Sequence, residues 1–158
     1  GTLWVWGKAG DGALGLNEPG TSHRSSPTQV PGTTWDIVTS SSDSSLFATK
    51  TDGTLWSWGQ NGNKGTLGLS DNTNRSSPTQ IGSGTDWSKP FTNAKQTGAA
   101  LKTDGTLWAW GSGAYGSIGN NSHDSGPNSP FQIPGTKWVD LKGYYDYKVR
   151  AIQLIEGV

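Results

Sequence analysis

Cysteine and methionine are both absent from this chain of 158 residues. Without thiols there are no disulfides, no thiol nucleophile and no zinc site built from thiolates. Long apolar runs are missing as well: nothing approaches the roughly 18 residues of a membrane-spanning helix, so no membrane insertion is expected. Neither sign of charge prevails. Twelve basic and twelve acidic residues cancel, and no lysine or arginine run stands out, which removes the electrostatic footprint of a nucleic-acid or anionic-lipid binder. Only 30% of the residues are hydrophobic, and no apolar pattern keeps helical spacing for more than a turn or two.

Glycine and tryptophan are abundant instead. The 24 glycines are about twice the usual share of roughly 7%, so much of the chain must be turn. All nine tryptophans fall on three positions of a unit that occurs three times. Gly-Thr-Leu-Trp-x-Trp-Gly stands at Gly1 to Gly7, Gly53 to Gly59 and Gly105 to Gly111, a spacing of 52 residues both times. Trp4 and Trp6 recur as Trp56 and Trp58 and as Trp108 and Trp110, and the third tryptophan of each unit is Trp35, Trp87 or Trp138. Leu14-Gly15-Leu16 returns as Leu67-Gly68-Leu69 and as Ile118-Gly119-Asn120, and Ser26-Pro27-Thr28-Gln29-Val30 returns as Ser77 to Ile81 and Ser129 to Ile133. The chain therefore reads as one repeat domain, 1–158, with repeats 1–52, 53–104 and 105–158. Beginning inside a repeat motif, it reads as a processed chain or a segment of a longer one.

Within a unit, apolar runs of four to six residues are bounded by Gly, Pro, Asn, Asp and Ser, the pattern of short strands. In the first cycle they cover Leu3 to Trp6, Pro27 to Val30, Trp35 to Val38 and Leu46 to Thr49, and Thr51-Asp52-Gly53 then makes a tight hairpin. Four short antiparallel strands per 52 residues predict an all-β chain of β-propeller blades. Along Leu3-Trp4-Val5-Trp6 both faces are apolar, so the strand must be covered on two sides, as a blade between neighbours is. All nine tryptophans are assigned to the core; burying one is worth at most about 4–6 kcal/mol.

These residues carry a family resemblance over essentially the whole chain. Gly-Thr-Leu-Trp-x-Trp-Gly, a glycine-rich stretch ending in Leu-Gly, then Ser-Pro-x-Gln-Val/Ile and a Trp strand resemble the repeat of the regulator of chromosome condensation family. The resemblance implies a propeller, typically of seven blades, in which one repeat contributes strands to two neighbouring blades. The sequence departs from that family before the fourth strand. A Gly-x-x-His stretch is replaced by Ser41 to Ser45 around Asp43 and by Asn93 to Thr97, and only Gly143-Tyr144-Tyr145 remains in the third unit.

The search for chemistry yields little. Gly111-Ser112-Gly113-Ala114-Tyr115-Gly116 satisfies Gly-x-Gly-x-x-Gly, but no helix pattern follows it, so it reads as a turn. His23 and His123, the only histidines, occupy equivalent loop positions without spaced partner ligands, and His123 is kept as a contact candidate. Asp11, Asp43, Asp71 and Asp124 lack calcium-loop spacing, so neither metal nor cofactor is expected. Tyr144, Tyr145 and Tyr147 cluster without counterparts in the other units and are the best non-repeat binding candidates.

Three blades are too few to close a ring, as propellers use about four to eight. Both ends are therefore expected to meet protein, either further repeats of the same polypeptide or identical subunits. The expected function is a non-enzymatic interaction or structural module, in the style of repeats in bacterial surface and secreted proteins and in phage decorations or fibres. An inhibitor-like protein binder is the first alternative. A guanine-nucleotide exchange factor or chromatin module is the second.

Overall fold

Glycines in the strand ends and the turns between them, many at positive φ, cut the chain into short strands and tight turns. The computed structural model describes residues 1–158 except 19, 94–95, 125, 144–148 and 155–158. The described residues form twelve strands and three 3-10 turns, with no longer helix. The strands are β1 (Leu3–Gly7), β2 (Arg24–Val30), β3 (Trp35–Ser40), β4 (Ser45–Lys50), β5 (Leu55–Gly59), β6 (Arg75–Gln80), β7 (Trp87–Thr92), β8 (Thr97–Lys102), β9 (Leu107–Gly111), β10 (Phe131–Ile133), β11 (Trp138–Gly143) and β12 (Val149–Gln153).

They pair antiparallel into four sheets. Two are complete blades, β3-β4-β5-β6 and β7-β8-β9-β10, and two are half-blades, β1-β2 before them and β11-β12 after them. Each sequence unit is thus divided between two sheets: β3 and β4 come from the first unit, and β5 and β6 from the second complete their blade. The hairpin at Thr51-Asp52-Gly53 accordingly lies inside a blade, joining β4 to β5. Gly53 has a φ of 77°, and its N–H closes the turn on the Lys50 carbonyl at 2.9 Å.

The first residues after that turn form a relay. Asp52 Oδ1 accepts from the Thr54 N–H at 3.0 Å and from its hydroxyl at 2.6 Å, and the Thr54 Oγ1 accepts from Trp56 Nε1 at 2.7 Å. Asp104, Thr106 and Trp108 repeat it at 2.9, 2.7 and 3.0 Å. The threonine hydroxyl, first among several causes, holds the carboxyls of Asp52 and Asp104 below the ordinary carboxylate range.

The core lies between the sheets. Val5, Leu14 and Val30 of the first half-blade meet Trp35, Ala48 and Trp58 of the next blade. Phe47, Leu55 and Ile81 meet Trp87, Ala100 and Trp110, and Ala99, Leu101, Leu107 and Ile118 meet Leu141. Trp58 and Trp110 are fully buried, Trp35 and Trp87 nearly so, and Trp56, Trp108 and Trp138 are half-buried. The assignment of all nine tryptophans to the core needs one correction, at Trp4 and Trp6, which are 49% and 63% exposed. Burial of this pair depends on a preceding blade, and β1 has none among the described residues.

Candidate interaction surface

Three seams between consecutive sheets lie within the chain, and the first two are built alike. At the first, Trp58 Nε1 donates to the Ala13 carbonyl at 3.1 Å; at the second, Trp110 Nε1 donates to the Thr66 carbonyl at 2.8 Å. Each indole rests on a glycine of positive φ. A Cβ added at Gly15 would fall 2.8 Å from Trp58 Nε1, and one at Gly68 would fall 2.8 Å from Trp110 Nε1. A backbone clamp completes each seam, Asn17 N–H to the Ser76 carbonyl at 2.7 Å and Ser70 N–H to the Asn128 carbonyl at 2.8 Å. The Leu-Gly motif of the repeat is therefore a seat for the next blade's second tryptophan.

Inside each full blade the other two tryptophans meet edge to face. Trp35 and Trp56 have ring centroids 6.1 Å apart at 77°, and Trp87 and Trp108 have theirs 6.1 Å apart at 75°. Lys50 Nζ lies 4.7 and 3.8 Å from the first pair of rings, and Lys102 Nζ lies 4.8 and 4.9 Å from the second. Sequence reasoning missed these two lysines. The available signal was their identical place in two repeats, just ahead of Thr-Asp-Gly.

The third seat has no tryptophan. Around Gly119 the nearest atom to an added Cβ is Ile133 Cδ1 at 3.8 Å, and the space above belongs to a groove of about 500 Å³. Ser117, Gly119, Ile133, Trp138 and Ala151 contribute to its walls. Ile152 and Leu154 are 54% and 59% exposed beside it. At the opposite end of the chain Trp4 and Trp6 stand uncovered, and Gly7, with a φ of 103°, has open space where Gly59 is pressed on Ser44 and Gly111 on Gln96. Among the described residues β1 pairs only with β2 and β12 only with β11, whereas β4 and β5, their positional equivalents inside a blade, each pair on both sides.

Electrostatics concentrates where the last half-blade docks. Lys89 of β7 makes an ion pair with Asp140 of β11, and Lys142 Nζ lies 3.4 Å from the second Asp140 oxygen. The hydrogen bond from Lys89, ahead of that from the Leu141 N–H, lowers the Asp140 carboxyl to about 2. No sequence signal marked this pair: it joins the same position of successive units, two residues after Trp87 and Trp138, but the first unit carries Ile37 there and no charge recurs.

The remaining candidates do not converge on a chemical centre. His23 Nδ1 accepts from the Ala9 N–H at 3.1 Å, a loop-shaping bond, while His123 lies beside Gly116. Tyr144, Tyr145 and Tyr147 lie outside the described residues. The Gly111 to Gly116 segment runs from the end of β9 into a 3-10 turn at Ala114–Gly116, without the helix a pyrophosphate loop needs. Among the described residues no three His, Asp or Glu side chains are grouped to hold a metal, and no helix is long and apolar enough to cross a membrane.

Four-stranded antiparallel sheets packed face to face in sequence, split by the repeat boundary, are the blades of a β-propeller, of which this chain forms a part. Residues 52–92 match the family model of the regulator of chromosome condensation (RCC1) repeat. The chain superposes on Prp20p from Saccharomyces cerevisiae with a TM-score of 0.80 at 16% identity, over 98% of this chain and 40% of that one. A second structure, yeast RCC1 (Prp20) with Kap60, gives 0.79 at 16% identity over 98% and 39%. Human WBSCR16 gives 0.71 at 19% identity over 88% and 36%. The chain spans about two fifths of the length of these solved proteins and shares their fold; the repeat it carries at 52–92 is of the RCC1 type, and its own internal repetition extends that unit to either side.

Proposed function

We propose that this chain is a non-enzymatic module for protein-protein interaction or structural assembly whose two half-blades meet protein, either further repeats of the same polypeptide or identical subunits. The observation that carries the reading is the uncovered pair of half-blades: an apolar groove with an unfilled tryptophan seat at one end, and two exposed indoles at the other. Apolar surface of this kind on a chain of balanced charge is the mark of an interface rather than of a nucleic-acid site. Support comes also from the solved relatives, since Prp20p is described with its binding to Gsp1p and histones, and yeast RCC1 with Kap60 bound to it. Within this proposal the module belongs to a cell surface, a secreted protein or a virion, a reading that rests on the Trp-rich, Asn- and Ser-rich style of the repeats.

Crosslinking in the native setting tests this. Lys8, next to the exposed β1 end, and Lys142, on β11, are both exposed amines. Protein crosslinks located by mass spectrometry are expected at these two lysines and not at Lys64 in the loop after β5. Turnover in a hydrolase, transferase or nucleotide-exchange screen that falls on substitution of His23 or His123 would overturn the reading.

A further inference from the structure

We propose that the joint between the first half-blade and the blade after it is acid-sensitive, with His23 as the group that takes up the proton. The joint lies between β1-β2 and β3-β4-β5-β6, wholly within the described residues, whatever adjoins β1. The first two units fasten the loop after their tryptophan strand by the same bond. In the second unit the Asn61 N–H donates to Asn74 Oδ1 at 2.8 Å; in the first, the Ala9 N–H donates to His23 Nδ1 at 3.1 Å. Ala9 and Asn61 both stand two residues after the last glycine of the motif, and His23 and Asn74 both stand just before an arginine. One place therefore holds an amide oxygen in one unit and an imidazole nitrogen in the other. An amide oxygen accepts at any ordinary pH. An imidazole nitrogen accepts only while it carries no proton, and histidine changes its charge between about pH 8 and 5.

The second loop has further ties that the first lacks. Asn61 Oδ1 accepts from the Leu67 N–H at 2.8 Å, and Asn61 Nδ2 donates to the Asp71 carbonyl at 2.8 Å. Ala9 stands in its place with no polar side chain to repeat them. From Ala9 the fastening leads directly to the seam. The Ala9 carbonyl accepts from the Gly12 N–H at 3.2 Å, and the Gly12 carbonyl accepts from the Gly15 N–H at 3.0 Å. These turns set the Ala13 carbonyl that receives Trp58 Nε1 and the Gly15 seat beneath the same indole. His23 is exposed and open to protons, whereas Ala9 is 4% exposed. Once Nδ1 is protonated, the buried Ala9 N–H has lost its acceptor, and the loop must shift to satisfy it.

The charged side chains on the segments that meet there are Lys8 and Asp11 beside Ala9, Glu18 and Arg24 on the loop of His23 itself, and Asp71 and Arg75 from the next unit across the seam. Arg24 pairs with Glu18 and Arg75 with Asp71, while Asp11 Oδ1 accepts from Asn74 Nδ2 at 3.2 Å. Among the described residues no carboxylate is paired with the imidazole, so protonation brings no ion pair in place of the lost acceptor. The fastening is complete where His23 is neutral and is lost as pH falls through the histidine range. The Trp58 seam then loosens, and the Trp110 seam, with an asparagine at the corresponding place, does not.

Exchange of the indole N–H groups, followed by NMR on the full chain at about pH 7.5 and about pH 5.5, on either side of the ordinary histidine midpoint, tests this. The ratio of the Trp58 Nε1–H protection factor to that of Trp110 cancels the intrinsic pH dependence of exchange. It is expected to fall about fivefold on acidification, the factor that one net hydrogen bond is worth. His23→Asn, which installs the acceptor of the second unit, is expected to hold the ratio constant across that range. His123→Asn, at the one other histidine, is expected to leave the fall intact, and His23→Ala to give the low ratio at both pH values. A parent ratio that does not fall, a fall that survives His23→Asn, or one that disappears in His123→Asn would each overturn the proposal. Should His23→Asn not fold, the parent and His123→Asn still decide between the two histidines.

Discussion

At the residue scale one side-chain type has two fates, set by what lies in front of it. Trp6, Trp58 and Trp110 stand at the same place in the same motif, yet Trp58 and Trp110 are fully buried and Trp6 is 63% exposed. Trp58→Ala and Trp110→Ala each remove a ring from the packed seam and a hydrogen bond from its rim, and should cost about 3–5 kcal/mol, the usual range for large aromatic deletions. Trp6→Ala should leave the denaturation midpoint of the dilute, unassembled chain unchanged. Chemical denaturation of the three variants distinguishes these outcomes, and equal losses at all three would mean that β1 is covered. The sequence made the equivalence of these tryptophans plain and hid the difference. Periodicity reports which face a residue points to, whereas burial requires knowing that a neighbour is present on that face.

At the scale of the element, the strands and the Asp-Gly hairpins were legible because short apolar runs and the turn residues that bound them are local signals, and the expected segments coincide with the cores of β1 to β4. The split of each repeat across two sheets followed from the family resemblance and not from local signals, since a hairpin at Gly53 reads the same whether it closes a blade or lies within one. Contacts between units were the least legible. The pair of Lys89 on β7 with Asp140 on β11 ties the last half-blade to its neighbour, and no repeat-mate announces it. Its stabilisation has a definite pH sense. The folded-state carboxyl, at about 2, lies below the ordinary value of 3.8, so the contribution is complete above that ordinary value and is lost as pH falls toward 2. Asp140→Asn should therefore lower the thermal midpoint near neutral pH, and the gap from the parent should close on acidification from about pH 4 to 2. A gap that persists unchanged at pH 2 would assign the effect to packing rather than charge.

On the scale of the whole molecule, two complete blades flanked by two half-blades give a chain whose ends have opposite and matching character. Repeat proteins depend on nearest-neighbour contacts, so a terminal unit is either capped or joined. Here the last seat, at Gly119, and the first tryptophans, at Trp4 and Trp6, are left over in complementary form. The three-blade count and the expectation of contact at both ends came from the 52-residue period. The seat itself did not, because Gly119 is one glycine among 24 until Gly15 and Gly68 are seen beneath their indoles. Amide hydrogen exchange followed as a function of chain concentration tests the open, complementary ends most directly. Strands β4, β5, β8 and β9 should be protected throughout, while amides of β1 and β12 that face away from β2 and β11 should exchange rapidly in dilute solution and become protected as the ends are occupied. Protection of those edge amides at every dilution, or their rapid exchange at every concentration and in the native assembly alike, would contradict it.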